Sequence, residues 1–343
     1  MSDQMHFGAP AIVFDLGGTH LRGATAPAGG GLINIEKRKV RNFLDGSSVT
    51  EVWDSIIDHI VSYVSAFGGS LPPQAPVMLA VPGPVRGRRI LLDAPTLVGH
   101  KGAIPDLKTI LEDRTKRPVF ILNDVSAATW YFSEKVPDDR FLVITVSSGI
   151  GSKVFDRNHP LGVMDDVEYC GEIGHAVAGD FPERIRCDCG GWNHVGAISS
   201  GRGILRLAKL CARRDQQKFN NSALGRSVNG NPEYLTNEDH IAPAVMQGDE
   251  WTLRVLEYAT RPLAQTILTI WLAIGLTRII LIGGFALAVG SHYTRILENE
   301  LQKLSDYKLL QEGVGGMVTL GQPDEEACLI GAAVYAQKES RGA

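Results

Sequence analysis

The sequence predicts an α/β protein of about two domains, and three observations carry the prediction. Short apolar runs of strand length alternate with longer segments whose apolar residues recur at helical spacing. Three of the strand-like runs end in glycine turns. The chain has 343 residues, against roughly 150 for an ordinary domain.

Composition narrows the class further. Hydrophobic residues at 44% beside charged residues at 21% describe a chain that buries a sizeable core, which excludes disorder. Lys and Arg number 34 against 38 Asp and Glu, a net charge of −4, so neither a nucleic acid nor a membrane partner is expected. Met1 to Pro10 carries Asp3 and His6 and lacks the basic end and apolar run of a secretory signal. The five cysteines, Cys170, Cys187, Cys189, Cys211 and Cys328, are an odd count, so a reduced, cytoplasmic protein is expected rather than a disulfide framework.

Each element has its own signal. Ala11 to Leu16 is an apolar strand, and Leu21 to Thr25 resumes strand composition after a glycine turn. From Ser47 to Phe67, Val52, Ile56, Ile60, Val61 and Val64 recur at helical spacing, with Ser47, Ser48 and Thr50 as candidate caps. Val77 to Val81, Pro118 to Leu122 and Arg140 to Val146 read as strands, and Pro105 to Thr115 as a helix. Cys170 to Gly191 has little period and is rich in Gly, Cys and charge, so its order must come from something other than a core. Asp215 to Asn237 reads as a polar loop, and Thr236 to Gly275 as a helix that Pro262 breaks or kinks. The most apolar stretch, Leu263 to Gly290, is interrupted by Gln265, Gly275, Arg278 and Gly283-Gly284. A buried helix followed by a strand at Thr277 to Ile282 explains it better than a membrane span. Glu325 to Gln337, apolar at Ala327, Ile330, Ala333 and Val334, is expected to be a closing helix. No repeat of fixed period is present.

The glycine turns are Asp15-Leu16-Gly17-Gly18-Thr19, Thr145-Val146-Ser147-Ser148-Gly149-Ile150-Gly151 and Ile282-Gly283-Gly284-Phe285-Ala286. Glycine lets backbone approach a ligand closely, and free N–H groups beside hydroxyls make a concavity for phosphate oxygens. One such turn is as readily a hairpin that needs positive φ. Three in one α/β chain, the first with an aspartate able to hold hydrated Mg²⁺, point to nucleotide binding. The first turn lacks the lysine of a P-loop, and no G-x-G-x-x-G opens a helix with an acidic residue about 20 positions on, so another phosphate-binding fold is required.

Leu122-Asn123-Asp124 ends a strand and begins a helix. Asp124 is there either as a helix cap or as the general base for a hydroxyl attacking a γ-phosphate. His175, Cys187, Cys189 and His194 fall in one irregular segment, the composition of a tetrahedral zinc site. The alternative is two buried thiols and two surface histidines. A structural zinc would explain how so irregular a stretch stays ordered.

In this order the motifs resemble those of the ROK family of sugar kinases and repressors, from Asp15 to Ala336. Asp15 to Thr19 is similar to the family's first phosphate motif, Leu122-Asn123-Asp124 to its catalytic motif, and Thr145 to Gly151 to its second phosphate motif. Gly171-Glu172-Ile173-Gly174-His175 with Cys187-Asp188-Cys189-Gly190 resembles its zinc signature, and Gly283-Gly284 its adenosine-side turn. The resemblance implies an actin-like (ribonuclease H-like) two-lobed kinase in which ATP and a sugar meet in a cleft. Residues 1–123 would form a small lobe completed by a C-terminal helix at 325–343, and residues 124–324 a large lobe with a zinc segment at 170–196.

It also implies roles. Asp124 would take the proton from a primary hydroxyl. Asn123, Glu172 and His175 would hold ring hydroxyls, His175 serving zinc as well. Asp15 would act through Mg²⁺, and Gly17, Gly18, Thr19, Ser148, Gly149, Gly283 and Gly284 would line the nucleotide. Phosphoryl transfer is mainly positioning and charge neutralisation, which suits this division. A homodimer, common in the family, is expected.

The departures shape the acceptor. The family's zinc signature reads C-x-C-G-x-x-G-C with a sugar-binding Glu two residues on; here His194 and Gly196 hold those places. A Cys2His2 zinc site is therefore expected, with two extra residues between His175 and Cys187. The missing Glu removes a charged acceptor worth ~1.5–3 kcal/mol per bond. Thr96 stands where the family's P-N-L segment has a sugar-contacting Asn. Ser152-Lys153 replaces further glycines, Lys153 either reaching a phosphate or pointing to solvent.

Two altered contacts argue against a plain glucokinase. They favour the ROK kinases of natural-product pathways, which act on C7-cyclitols (valienol or 2-epi-5-epi-valiolone, at the 7-hydroxyl) or aminosugars such as kanosamine. The alternative is an ordinary glucokinase or N-acylhexosamine kinase whose pocket is rebuilt by Asp165, Asp166 or Glu168. With 14 residues ahead of Asp15, a ROK repressor, which carries a helix-turn-helix before the first phosphate motif, is not expected. The intact Asp124 and glycine turns disfavour a sugar-binding relic.

Overall fold

The computed structural model describes residues 6–99, 102–179, 181–305, 307–321 and 325–342. The chain forms two units, one made of residues 1–137, 158–170 and 324–343, the other of residues 138–157 and 171–323.

The first unit is built on a five-stranded sheet in the order Ile33–Lys39, His20–Ala26, Ala11–Leu16, Val77–Val81, Val119–Asn123. The first three strands are antiparallel, and Leu16 pairs with Leu21 across the first glycine turn. The other pairings are parallel. All five residues of Val77–Val81 are buried, as a central parallel strand covered on both faces requires. The strand Ile33–Lys39, read as no element from the sequence, lies at the sheet edge with its charged residues mostly exposed.

The helix Val49–Phe67 opens with a capping box between Ser48 and Glu51, and it buries Val52, Ile56, Ile60 and Val64. The helix Asp124–Ser133 packs against the closing helix Ala327–Gly342. Gly331 makes this approach possible, since a Cβ there would lie 1.8 Å from the Ala127 carbonyl oxygen. That packing keeps residues 124–137 with the first unit. The division expected after residue 123 therefore falls at Pro137, and residues 158–170 also belong to the first unit.

The second unit has a four-stranded sheet, in the order Val318–Leu320, Arg278–Ile282, Arg140–Val146, Ile150–Asp156. The last two strands form an antiparallel hairpin about the second glycine turn, and the other pairings are parallel. The helix Glu250–Ile274 runs through Pro262 and is followed by the strand Arg278–Ile282, as the apolar stretch suggested. Two expectations fail here. Residues 215–237 are not a loop but carry the short helices Gln216–Asn221 and Ala223–Ser227 and the turn Pro232–Tyr234, capped by Asp215, Ser222 and Asn231. Polar caps at close intervals give such a segment the composition of a loop. The single helix expected from Thr236 is broken once: the π-helical turn Asn237–Ile241 runs directly into Ala242–Met246, and Glu250–Ile274 starts anew because Gly248 turns to positive φ and Asp249 caps it. Among the described residues no helix is long and apolar enough to cross a membrane.

Candidate active site

In the first unit, the first glycine turn closes with Gly17 N–H donating to the His20 carbonyl at 2.8 Å. Neither Gly17 nor Gly18 has positive φ. A Cβ at Gly17 would meet nothing nearer than 3.5 Å, and one at Gly18 would make only ordinary contact with Thr96, also at 3.5 Å. Backbone conformation therefore does not require glycine at either place. What two side-chain-free positions at a strand end provide is room for a ligand against the backbone. Gly149 and Gly284 repeat the pattern in the second unit, each with open space where a Cβ would stand and no positive φ.

Asp15, on the strand leading into this turn, accepts a hydrogen bond from Arg22 at 3.2 Å. Burial pushes its carboxyl above the usual range, and the Arg22 charge opposes that rise. Thr19 pairs its hydroxyl with His20.

Of the two roles that sequence reading left open for Asp124, the structure gives the helix cap to Asn123. The cap of the helix Asp124–Ser133 is Asn123, whose side-chain oxygen accepts from Val125 and Ser126 N–H and whose amide nitrogen donates to the Gly83 carbonyl at 2.9 Å. Asp124 is the first helical residue, with one carboxylate oxygen accepting from Val125 N–H at 2.8 Å. The cap explanation thus belongs to its neighbour.

In the second unit, Ser147, Ser148, Gly201, Arg202, Asn237 and Gly284 help to line a cavity of about 230 Å³. Of the expected nucleotide residues, Ser148 and Gly284 line it directly, while Gly149 and Gly283 sit beside them in the same two turns. Gly283 is obligatory: its φ is +95° and a Cβ would stand 2.6 Å from Thr145 Oγ1. Gly201, Arg202 and Asn237 were missed by sequence reading. The only available signal was Ser200-Gly201-Arg202-Gly203 at the start of a helix.

Glu172 precedes and His175 ends a single 3-10 turn, Ile173–His175, with their side chains 3.9 Å apart. Partial burial pushes the Glu172 carboxyl up, against the opposing charges of Lys153 and His175. Lys153 is buried, so the solvent-pointing alternative is excluded. Its stem lies 3.3 Å from where a Gly171 Cβ would be. Gly196 lies against the turn that carries Glu172 and His175, a Cβ there meeting the Gly174 carbonyl at 3.1 Å.

The ligand atoms of His175, Cys187, Cys189 and His194 all lie within 4.8 Å of one another. Cys189 Sγ and His194 Nδ1 are 3.3 Å apart. Cys187 N–H donates to the Gly191 carbonyl and Gly190 N–H to the Cys187 carbonyl, folding the segment into a tight turn. Two thiols and two imidazoles converging this way fit a zinc ion. The alternative of two buried thiols and two surface histidines is not what the structure has, since Cys189 is exposed and Cys187 half-buried. Asp165 and Glu168, offered as rebuilders of an acceptor pocket, are engaged instead by Arg88 at 2.8 Å and Arg86 at 3.1 Å; Asp166 is exposed.

A ROK family model matches residues 11–339. The chain is 36% identical to a C(7)-cyclitol 7-kinase of Streptomyces hygroscopicus subsp. jinggangensis over 326 residues, 93% of this chain and 92% of that protein. It is 27% identical to a 2-epi-5-epi-valiolone 7-kinase of Actinoplanes sp., covering 95% and 92%. Among solved structures it is similar to a ROK hexokinase from Thermus thermophilus, with a TM-score of 0.73 at 22% identity over 97% of this chain and 100% of the other. A ROK glucokinase from Streptomyces griseus, solved with glucose and AMPPNP, gives 0.68 at 22% identity over 95% and 98%. The fold is that of the actin-like, two-lobed sugar kinases. The chain belongs to the ROK family, and its curated relatives include kinases of cyclitols and of N-acetylmannosamine.

Proposed function

We propose that this chain is an ATP-dependent C7-cyclitol kinase that phosphorylates the 7-hydroxyl of a ring of the 2-epi-5-epi-valiolone or valienol type. The observation that carries the choice of acceptor is 36% identity to a cyclitol 7-kinase over more than nine-tenths of both chains. The placement of Gly196 beside the turn of Glu172 and His175 supports it, because the carboxylate that is missing is missing next to the ring-binding side chains.

In this reading Asp124 takes the proton of the primary hydroxyl as its oxygen bonds to the γ-phosphorus and ADP leaves. Asn123, Glu172 and His175 orient the acceptor. The glycines that no backbone strain requires let the phosphates lie against main-chain N–H groups. Asp15 is the carboxylate of the first glycine turn and would hold Mg²⁺ together with the nucleotide's phosphates. Magnesium, when bound, supplies neutralisation of phosphate charge. His175, Cys187, Cys189 and His194 would hold a structural zinc.

A coupled ADP-release assay over hexoses, aminosugars and cyclitols tests the acceptor. A C7-cyclitol is expected to exceed glucose in kcat/KM by at least ~10-fold, equivalent to ~1.4 kcal/mol of differential transition-state binding. Glucose as the best acceptor in the panel overturns the proposal.

Elemental analysis of protein purified without added metal is expected to find one zinc per chain, lost in His194→Ala. If that variant keeps its zinc and its thermal stability, the fourth ligand lies elsewhere. A metal-free wild type removes the site altogether.

A further inference from the structure

Asp188 stands between the two cysteines of the Cys/His cluster, and its side chain pairs with two arginines of the helix Gly201–Arg214. One of its oxygens is 3.1 Å from Arg202 Nη1 and the other 3.4 Å from Arg206 Nη2. Arg206 also donates to the Arg186 carbonyl at 2.9 Å, so the same loop is gripped through backbone and side chain together. Arg202 in turn donates from Nε to the Ser148 carbonyl at 2.7 Å and lines the cavity beside the second glycine turn. The N-terminus of that helix is tied to the same turn, Gly201 N–H donating to the Ser147 carbonyl at 2.8 Å. A continuous path of contacts thus runs from the cysteine loop through Asp188 and Arg202 to the turn that borders the cavity.

We infer that Asp188 and Arg202 are positioning residues through which the Cys/His cluster sets the affinity for the donor nucleotide. The inference rests on reading this cavity as the nucleotide site. Arg202 and Asp188 have 58% and 42% of their side-chain surfaces in water. An exposed ion pair adds little to global stability. Its effect is geometric. The guanidinium is a planar fork of five N–H donors. With Nη1 on Asp188 and Nε on Ser148, its plane is fixed against the turn, and its charge is held at the cavity wall where nucleotide phosphate would meet it. A cluster ordered by zinc holds Cys187 and Cys189, and hence Asp188, in one place. Without the metal, Asp188 loses that anchor and the fork loses one of its two supports.

Calorimetric titration of Mg²⁺·ATP in the absence of acceptor tests this on the full chain, zinc-loaded and after zinc removal. Arg202→Met is expected to weaken ATP binding by about tenfold, the scale of a charge-assisted hydrogen bond, and Asp188→Asn by about threefold, the scale of an exposed pair. Acceptor KM and zinc content stay at their wild-type values in both variants. Zinc removal is expected to weaken ATP binding in the wild type and to have no further effect in Asp188→Asn, since coupling that runs through one residue vanishes with it. ATP affinity indifferent to both substitutions, or a zinc effect of equal size in the wild type and Asp188→Asn, overturns the inference and leaves the kinase reading standing. A wild type that binds no ATP overturns the reading of the cavity and the inference with it.

Discussion

Asp124→Asn is expected to lower turnover by about 100-fold or more while the protein folds and binds ATP as before. General-base catalysis is worth roughly 10²–10⁴-fold, and an amide keeps the shape of the carboxylate without being able to take the proton. The surroundings of Asp124 make this a clean test. Asn123 caps the helix and is untouched by the change. The bond that Asp124 accepts from Val125 N–H can be accepted equally by an asparagine oxygen. The change removes one negative charge from the first helical turn, worth about 0.3–1 kcal/mol. Steady-state kinetics beside a thermal unfolding curve separates the two effects. Near wild-type turnover would show that Asp124 serves only its own helix.

Gly171→Ala should produce the largest loss of stability near the candidate site. Gly171 has φ of +84°, and a Cβ there would stand 1.8 Å from the Ser152 carbonyl oxygen, an overlap with backbone that no rotamer relieves. The strand and the loop are also locked from the other side, because Ser152 donates to the Gly171 carbonyl from both N–H and hydroxyl, at 3.0 and 3.1 Å. Strain at positive φ and a forced backbone shift together cost about 2 kcal/mol or more. Glu172 is the next residue, so the same shift displaces it. Thermal unfolding of the variant is expected at clearly lower temperature, with the acceptor KM raised more than the ATP KM. A variant with unchanged melting and unchanged acceptor KM would mean that residues 170–172 move freely and do not position Glu172.

Much of the fold could be read because its signals are local. Apolar runs marked the strands Ala11–Leu16, Val77–Val81 and Arg140–Val146, and helical spacing with Ser48 among the candidate caps marked the helix Val49–Phe67. The strand Ile33–Lys39 escaped because its apolar alternation is only Ile33 and Ile35 before charges occupy both faces. The capped short helices after Asp215 escaped because their caps look like loop. At the site, the glycine turns and the four zinc-type ligands were visible as residue types in order along the chain. The pairing of Asp165 with Arg88, 77 positions apart, was not, nor was the meeting of Arg202 with Ser148 across 54.

By itself the sequence determined the α/β class, the order of the motifs and the chemical repertoire, since φ preferences, caps, periodicity and ligand type act within a few residues of chain. Only the tertiary structure decided that Asn123 rather than Asp124 is the cap, that the first unit extends to Pro137, that Lys153 is buried, and that Asp188 reaches Arg202. Each of those outcomes depends on which distant segments pack together. Packing of that kind is fixed by the whole core at once and leaves no mark in the local sequence.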